Sequence, residues 1–201
     1  MTKYWGPLGW ITLQSAAALY PDSPSQTEIQ LVTNWISLFA ECITCATCAG
    51  HFRSLLSEYT AKNPDLFSSR EKFMTFVLRA HNTVNVRIQK RVYSKDESQI
   101  AWSVMTPAAA RSKRIEYLKY LQKDWGHQTN LQGISTLMKV RQMGLIEEQY
   151  WSKRALDWTA AFANVTDVTG KTPVPPAQQL AASPAYRFKI GRLGGQSLAR
   201  R

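Results

Sequence analysis

All three cysteines of this 201-residue chain fall within seven positions, in the stretch Glu41-Cys42-Ile43-Thr44-Cys45-Ala46-Thr47-Cys48-Ala49-Gly50-His51-Phe52. Thiols gathered so tightly in a chain that has none elsewhere point to sulfur chemistry, namely exchange with other disulfides or metal ligation, set against burial as small apolar groups. Cys45 and Cys48 form a Cys-x-x-Cys pair at the expected start of a helix. There, unpaired backbone N–H groups and the helix dipole stabilise a thiolate and so favour exchange. The pair alone does not discriminate, because redox motifs, zinc knuckles and iron–sulfur sites all use it. Cys42, Cys45, Cys48 and His51 recur at every third position and formally make a set of zinc ligands. On one continuous helix, however, such ligands drift along its side and cannot close a tetrahedron, so no metal is expected. A thioredoxin-like fold needs a strand ahead of the pair, and the flanking sequence shows helical periodicity instead.

The elements that must position these sulfurs read as helices. Trp10, Leu13, Ala17 and Tyr20 recur at three- and four-residue steps and are stopped by Pro21, which predicts a first helix from about Leu8 to Leu19. Ile29, Val32, Ile36 and Phe39 mark a second that starts near Ser25, with Glu28 as its capping-box partner. A third runs from about Thr44 through Leu55 and Tyr59 to Asn63-Pro64. Ser69 caps a fourth carrying Phe73, Phe76, Val77, Ala80, Val84 and Ile88, and a short fifth spans about Ser98 to Val104. Sequential helices with short connections are best solved as a four-helix bundle, here with a short fifth helix, so the fold class is all-α. Beyond Pro107, Ile115, Leu118, Leu121 and Trp125 suit one helix. Leu137, Val140, Leu145, Ile146, Tyr150, Trp151 and Leu156 suit two more separated near Gly144. Their apolar faces either build a small appended domain or wrap the bundle. The expected organisation is a bundle over 1–106, a helical extension over 107–169, and a tail over 170–201.

Net charge is +11, which favours acidic or anionic partners. From Gly170 to Arg201 there are Lys171, Arg187, Lys189, Arg192, Arg200 and Arg201 and no acidic residue, with prolines and glycines that disfavour a helix. That stretch reads as an extended basic tail, able to dock on an acidic capsid surface or nucleic acid or to stay solvated. No apolar run reaches the roughly 18 residues of a membrane span, and the start Met1-Thr-Lys-Tyr-Trp-Gly-Pro7 lacks the apolar core of a signal peptide. A cytoplasmic protein is expected.

Three further stretches keep company with the cysteines. Trp5-Gly-Pro-Leu-Gly-Trp-Ile-Thr-Leu-Gln-Ser-Ala-Ala-Ala-Leu-Tyr-Pro-Asp-Ser-Pro24 resembles the opening helix of the Erv/ALR sulfhydryl oxidases. Cys45-Ala-Thr-Cys48-Ala-Gly-His51-Phe52 is similar to that family's active-site motif in order and spacing. His81-Asn-Thr-Val-Asn85 resembles its flavin-binding signature, with Lys90 and Trp102 at the expected later positions. The resemblance covers about residues 5 to 103, half the chain.

The resemblance implies an FAD-dependent enzyme, commonly a homodimer, that makes disulfides in protein dithiol substrates. Electrons pass through the Cys-x-x-Cys pair and the flavin to molecular oxygen, giving hydrogen peroxide. It implies Cys45 as the sulfur that substrate thiolates attack and Cys48 as the one facing the flavin, with Cys42 as a possible relay along the same helix. Gly6, Trp10, Gln14, His51, His81, Asn82, Val84, Asn85, Lys90 and Trp102 are its implied cofactor-binding residues: aromatic faces stack, amides meet ring edges, and a lysine meets phosphate. Against the family pattern, Gln14 stands for a usual histidine, Phe76 for a tryptophan, Thr44 for a proline and Lys95 for a structural cysteine. Members encoded by large DNA viruses are similar in placing this unit first and adding an extension. A viral enzyme acting on virion proteins in the host cytoplasm or virion is therefore the expected setting, and a bundle serving only as a virion scaffold is the competing expectation.

Overall fold

The computed structural model describes residues 2–163, and every regular element among them is helical. The bundle comprises α1 (Thr2–Leu19), α2 (Gln26–Cys42), α3 (Ala46–Lys62), α4 (Arg70–Arg87) and the short α5 (Lys95–Ser103). The extension adds α6 (Pro107–Gly126), α7 (Leu131–Gln149), a 3-10 turn (Trp151–Lys153) and α8 (Ala155–Ala161). The expected basic tail over 170–201 lies outside the described residues. No described helix is long and apolar enough to cross a membrane.

Helix starts follow local chemistry. Ser25 and Glu28 form a reciprocal capping box at α2, and Ser94 and Glu97 form another at α5. Ser69, Thr106 and Asn130 cap α4, α6 and α7, each side chain taking a backbone N–H two or three residues into the helix. Two boundaries differ from the sequence expectation. α1 begins at Thr2 rather than Leu8, with Pro7 inside it, because Tyr4 packs on Tyr120 of α6 at 5.6 Å and Trp5 lies against the core. α7 runs unbroken through Gly144, where two helices were expected. Burial of Val140, Met143, Ile146 and Glu147 along one face outweighs the roughly 1 kcal/mol that a mid-helix glycine costs.

The extension wraps the bundle. α6 and α8 pack on α1 and α7 packs on α2, so α1 is enclosed and every residue from Ile11 to Tyr20 is buried. A helix apolar all round is a buried one, and Ala16, Ala17 and Ala18 let its neighbours approach closely. One continuous core then runs from Phe73, Phe76 and Val77 of α4 to Tyr117 and Leu121 of α6 and Trp151 beyond α7.

Buried polar links fix the cover in place. Arg114 of α6 holds Glu147 of α7 through two hydrogen bonds of 2.7 and 2.9 Å, with both side chains buried, and Ser152 donates to the same carboxylate at 2.8 Å. Arg154 reaches the Leu19 carbonyl at 3.0 Å and Glu28 at 2.8 Å. The turn between α6 and α7 is equally constrained. A side chain at Gly133 would put its Cβ 2.5 Å from the Cβ of Gln128 and 2.7 Å from its carbonyl oxygen.

Candidate active site

The cysteine cluster is divided between two helices. α2 ends on Cys42, Ile43 and Thr44 break the helical path, and Cys45 is the N-cap of α3. The third helix thus starts two residues later than the expected Thr44, and Cys42 belongs to the helix before it. Cys45 and Cys48 are joined by a disulfide with their Cα atoms 5.2 Å apart. The Cys45 sulfur also accepts the Cys48 backbone N–H at 3.2 Å. Both residues are half-buried, and Ala46 and Thr47 between them are exposed, so the bridge sits at the protein surface over the open end of α3. A thiolate formed there by reduction meets the unpaired N–H groups of the first turn.

Cys42 lies beneath the extension. Its thiol faces the Thr136 carbonyl of α7 at 4.0 Å, and its own carbonyl accepts the indole N–H of Trp125 at 2.8 Å. It is fully buried, and that burial pushes its thiol up to about 12. Glu41 adds to the effect and Lys139 opposes it. Among the described residues no group of three or more His, Cys, Asp or Glu side chains converges as metal ligands do.

A second feature is a stack of rings between α1 and α4. Trp10 lies on His81 at 4.5 Å with planes 28° apart, and Tyr93 lies near-parallel to His81 at 6.2 Å and 22°. Desolvation of the half-buried imidazole, aided by the charge of Lys90, pulls His81 down to about 4, so it stays neutral at physiological pH. α1 and α4 are antiparallel, with Trp10 against His81 at one level and Tyr20 against Phe73 two to three turns below. Gly6, Trp10 and Gln14 succeed one another at four-residue steps on α1, and Asn85, His81 and Val77 face them in reverse order on α4. A Cβ at Gly6 would meet open space.

The disulfide belongs to the same end of the bundle. α3 and α4 are joined by the short connection 63–69, and Phe52 and Tyr59 of α3 both meet the ring of Phe76 of α4, at 6.4 and 5.0 Å, with Arg79 over the ring of Tyr59 at 6.0 Å. One turn from Phe52 toward the start of α3 lies Cys48, and one turn from Phe76 toward the end of α4 lie Ala80 and His81. Phe52 also meets Phe39 at 5.6 Å, and Phe39 packs beside Gly9, the neighbour of Trp10, so the start of α3 lies toward the end of the bundle that carries the ring stack.

Gln14 and Asn85 are each 3 % exposed, yet the side-chain nitrogen of each finds no hydrogen-bond partner. Two orphaned donors cost about 1–3 kcal/mol apiece unless something else meets them. A flat heteroaromatic ring edged with acceptors, beside stackable faces, does so. The residues present therefore fit the flavin that the sequence resemblance implies, and Gln14 supplies a donor where the family pattern has a histidine.

The other expected site residues are distributed unevenly. Asn82 turns its amide to the backbone of Tyr93, donating to its carbonyl at 2.7 Å and accepting its N–H at 3.0 Å. It positions the third ring of the stack. Val84 is half-buried, Trp102 of α5 is buried, and Lys90 and His51 are exposed. Lys90 follows Gln89, whose φ of 55° turns the chain at the end of α4, and its N–H bonds the Asn85 carbonyl at 2.7 Å. Tyr93 escaped the sequence reading, since it belongs to no motif. A tyrosine just before a Ser-x-x-Glu cap was the one available signal.

Comparison with known proteins places these features. Residues 8–103 match the model of the Erv1 / Alr family. A FAD-linked sulfhydryl oxidase of African swine fever virus (isolate Pig/Kenya/KEN-50/1950) is 33% identical over 118 residues, covering 58% of this chain and 90% of that protein. One from the isolate Tick/Malawi/Lil 20-1/1983 is 34% identical over 94 residues, 47% of this chain and 76% of its own length. FAD-linked sulfhydryl oxidase ERV1 of Arabidopsis thaliana is 29% identical over 97 residues, 48% of this chain and 49% of that protein. No solved structure matches the chain significantly.

Proposed function

The chain belongs to the Erv1/Alr family, and from that premise we propose that it is an FAD-dependent sulfhydryl oxidase that forms disulfides in protein substrates. The observation that carries this reading is a surface disulfide on the first turn of α3, toward the end of the bundle that carries a ring stack and two unsatisfied buried donors. Gln14 and Asn85 would hold the ring edge of the flavin, Trp10, His81, Tyr93 and Trp102 its faces, and Lys90 its phosphates. FAD held there would supply the two-electron acceptor between the reduced cysteine pair and molecular oxygen, with hydrogen peroxide as the product.

The chain's own residues perform the exchange. A substrate thiolate attacks the Cys45 sulfur, a substrate–Cys45 bond forms, the Cys45–Cys48 bond breaks, and Cys48 leaves as a thiolate. The N–H groups at the start of α3 stabilise that leaving charge. A second substrate thiolate then attacks the substrate sulfur of the mixed disulfide, releasing the product disulfide and the Cys45 thiolate. The enzyme has gained the two electrons the substrate dithiol lost. His81, held neutral, gives the stack a face without a competing positive charge.

The same reading extends to a homodimer and to a virus-encoded enzyme working in the host cytoplasm or virion, with the basic tail over 170–201 docking on an acidic capsid surface or nucleic acid. The viral relatives support the viral setting, and the charge of the tail supports its docking. Purified protein should carry visible flavin absorbance and consume oxygen when given a dithiol. A folded chain that neither holds nor takes up FAD would sink the proposal and leave the scaffold reading in its place.

A further inference from the structure

Resting on that function, we propose that the first half of α7 is the docking surface for protein substrates of the Cys45–Cys48 disulfide. The occupant it fits is an incompletely folded polypeptide whose apolar side chains flank the reacting cysteine. The placement comes from the register of α2 and α7. They run antiparallel, with Tyr150 bonded to Glu28 near one end, Lys139 paired with Glu41 near the other, and the Thr136 carbonyl on the Cys42 sulfur. α2 stops at Cys42, so Leu131 to Ser135 continue past its end, to the level of the Ile43–Cys45 connection.

This part of α7 carries an apolar face that no described residue covers. Gly133, Thr136, Val140 and Met143 are buried against the bundle. On the opposite side Leu131 is 87% exposed, Ile134 53% and Met138 58%. Their spacing of three and four residues makes one stripe along the helix. Solitary exposed apolar residues are ordinary, but three in line at the level of a reactive group mark an interaction surface.

Charge selects the partner. In a chain of net charge +11, no Asp, Glu, Lys or Arg occurs from Gln128 to Met138, nor from Cys42 to Phe52 around the disulfide. An acidic or basic partner would find no complement here, whereas an apolar segment would. Size agrees as well. A specific protein contact covers about 800 Å² per partner, a patch about 30 Å across. Cys45 is at most about 11 Å along the backbone from Cys42, whose sulfur touches α7. A polypeptide delivering a thiolate to Cys45 therefore comes within reach of this end of α7.

The test compares two reductants on the full-length, FAD-loaded enzyme and on the triple variant Leu131→Gln, Ile134→Gln, Met138→Gln. These side chains are exposed, so the variant should melt with the wild type. With reduced, unfolded ribonuclease A as substrate, the variant should show a KM raised about tenfold, the scale of one buried apolar side chain, with kcat unchanged. With dithiothreitol, which reaches the disulfide without docking, both constants should be unaltered. An unchanged KM for the unfolded protein overturns the proposal. If sedimentation also shows the variant splitting a wild-type dimer, the stripe is a contact between copies. A KM that falls instead assigns the stripe to the chain's own residues 164–201 and equally overturns it. Wild-type enzyme inactive even toward dithiothreitol would refute the oxidase function itself, and the docking surface with it.

Discussion

Cys42 and Cys45 are three positions apart and occupy opposite surroundings. Cys45 opens a helix at the surface, bridged to Cys48, with exposed residues on either side of the first turn. Cys42 closes the preceding helix and is sealed by α6 and α7, with Trp125 on its carbonyl and Thr136 over its sulfur. Reactivity of a thiol depends on access and on how readily it ionises, and here both change across one break in the chain. Spacing that looks uniform in sequence is therefore divided in the structure, into a disulfide pair at the surface and a single buried thiol.

The division can be broken most directly at the sulfurs. Replacing Cys45 or Cys48 by Ser should abolish oxygen consumption with any thiol substrate, whereas Cys42→Ser should retain most of the wild-type rate; equal losses at Cys42 would erase the distinction. With its thiol near 12, Cys42 in the reduced, folded protein should also resist alkylation at pH 8 while the other two cysteines are modified.

Next in size is the cover itself. Arg114→Ala leaves Glu147 as an unpaired buried charge and should cost about 3–5 kcal/mol in urea unfolding, with Cys42 becoming open to alkylation before global unfolding. Stability that falls while Cys42 stays protected would show that α6 and α7 do not jointly seal it.

A smaller effect belongs to the ring stack at the exposed end. The folded-state pKa of His81 is below its ordinary value, so between about pH 6.5 and 4 the unfolded chain binds the proton that the native one refuses. Stability is thus fully present above pH 6.5 and lost as pH falls toward 4, by about 2 kcal/mol after allowance for the half-buried ring. His81→Asn should flatten that part of the stability profile relative to wild type.

Smallest is Trp125→Phe, which keeps the ring and removes one hydrogen bond to the Cys42 carbonyl. A loss of about 1 kcal/mol is expected, with faster hydrogen exchange confined to the end of α2.

How far the sequence foretold this arrangement depended on whether the cause was local. The capping pair Ser25 and Glu28 lies within one turn, and α2 starts where that pair places it. Trp10, His81 and Asn85 were legible only through a pattern of several stretches taken together, since each alone reads as an ordinary core or helix residue. The change of helix near Thr44 was legible, but the burial of Cys42 was not, because the residues that meet it, Trp125 and Thr136, lie more than 80 positions away along the chain. Gly144 misled for a related reason. Its helical propensity is poor, but its neighbours are held by tertiary burial. The double role of Asn82, bonded to both backbone groups of Tyr93, could not be read from a motif that lists residue types without their partners.

The corner at Gly133 carries one more implication. Because Gln128 occupies the space of its missing side chain, the two long helices of the cover meet at an elbow with no room to flex. Adding a single methyl group there should splay α7 outward from its root. The geometry over the sulfurs is then governed by a hydrogen atom at the pivot, remote from all the chemistry, as the angle of a door is governed by its hinge pin.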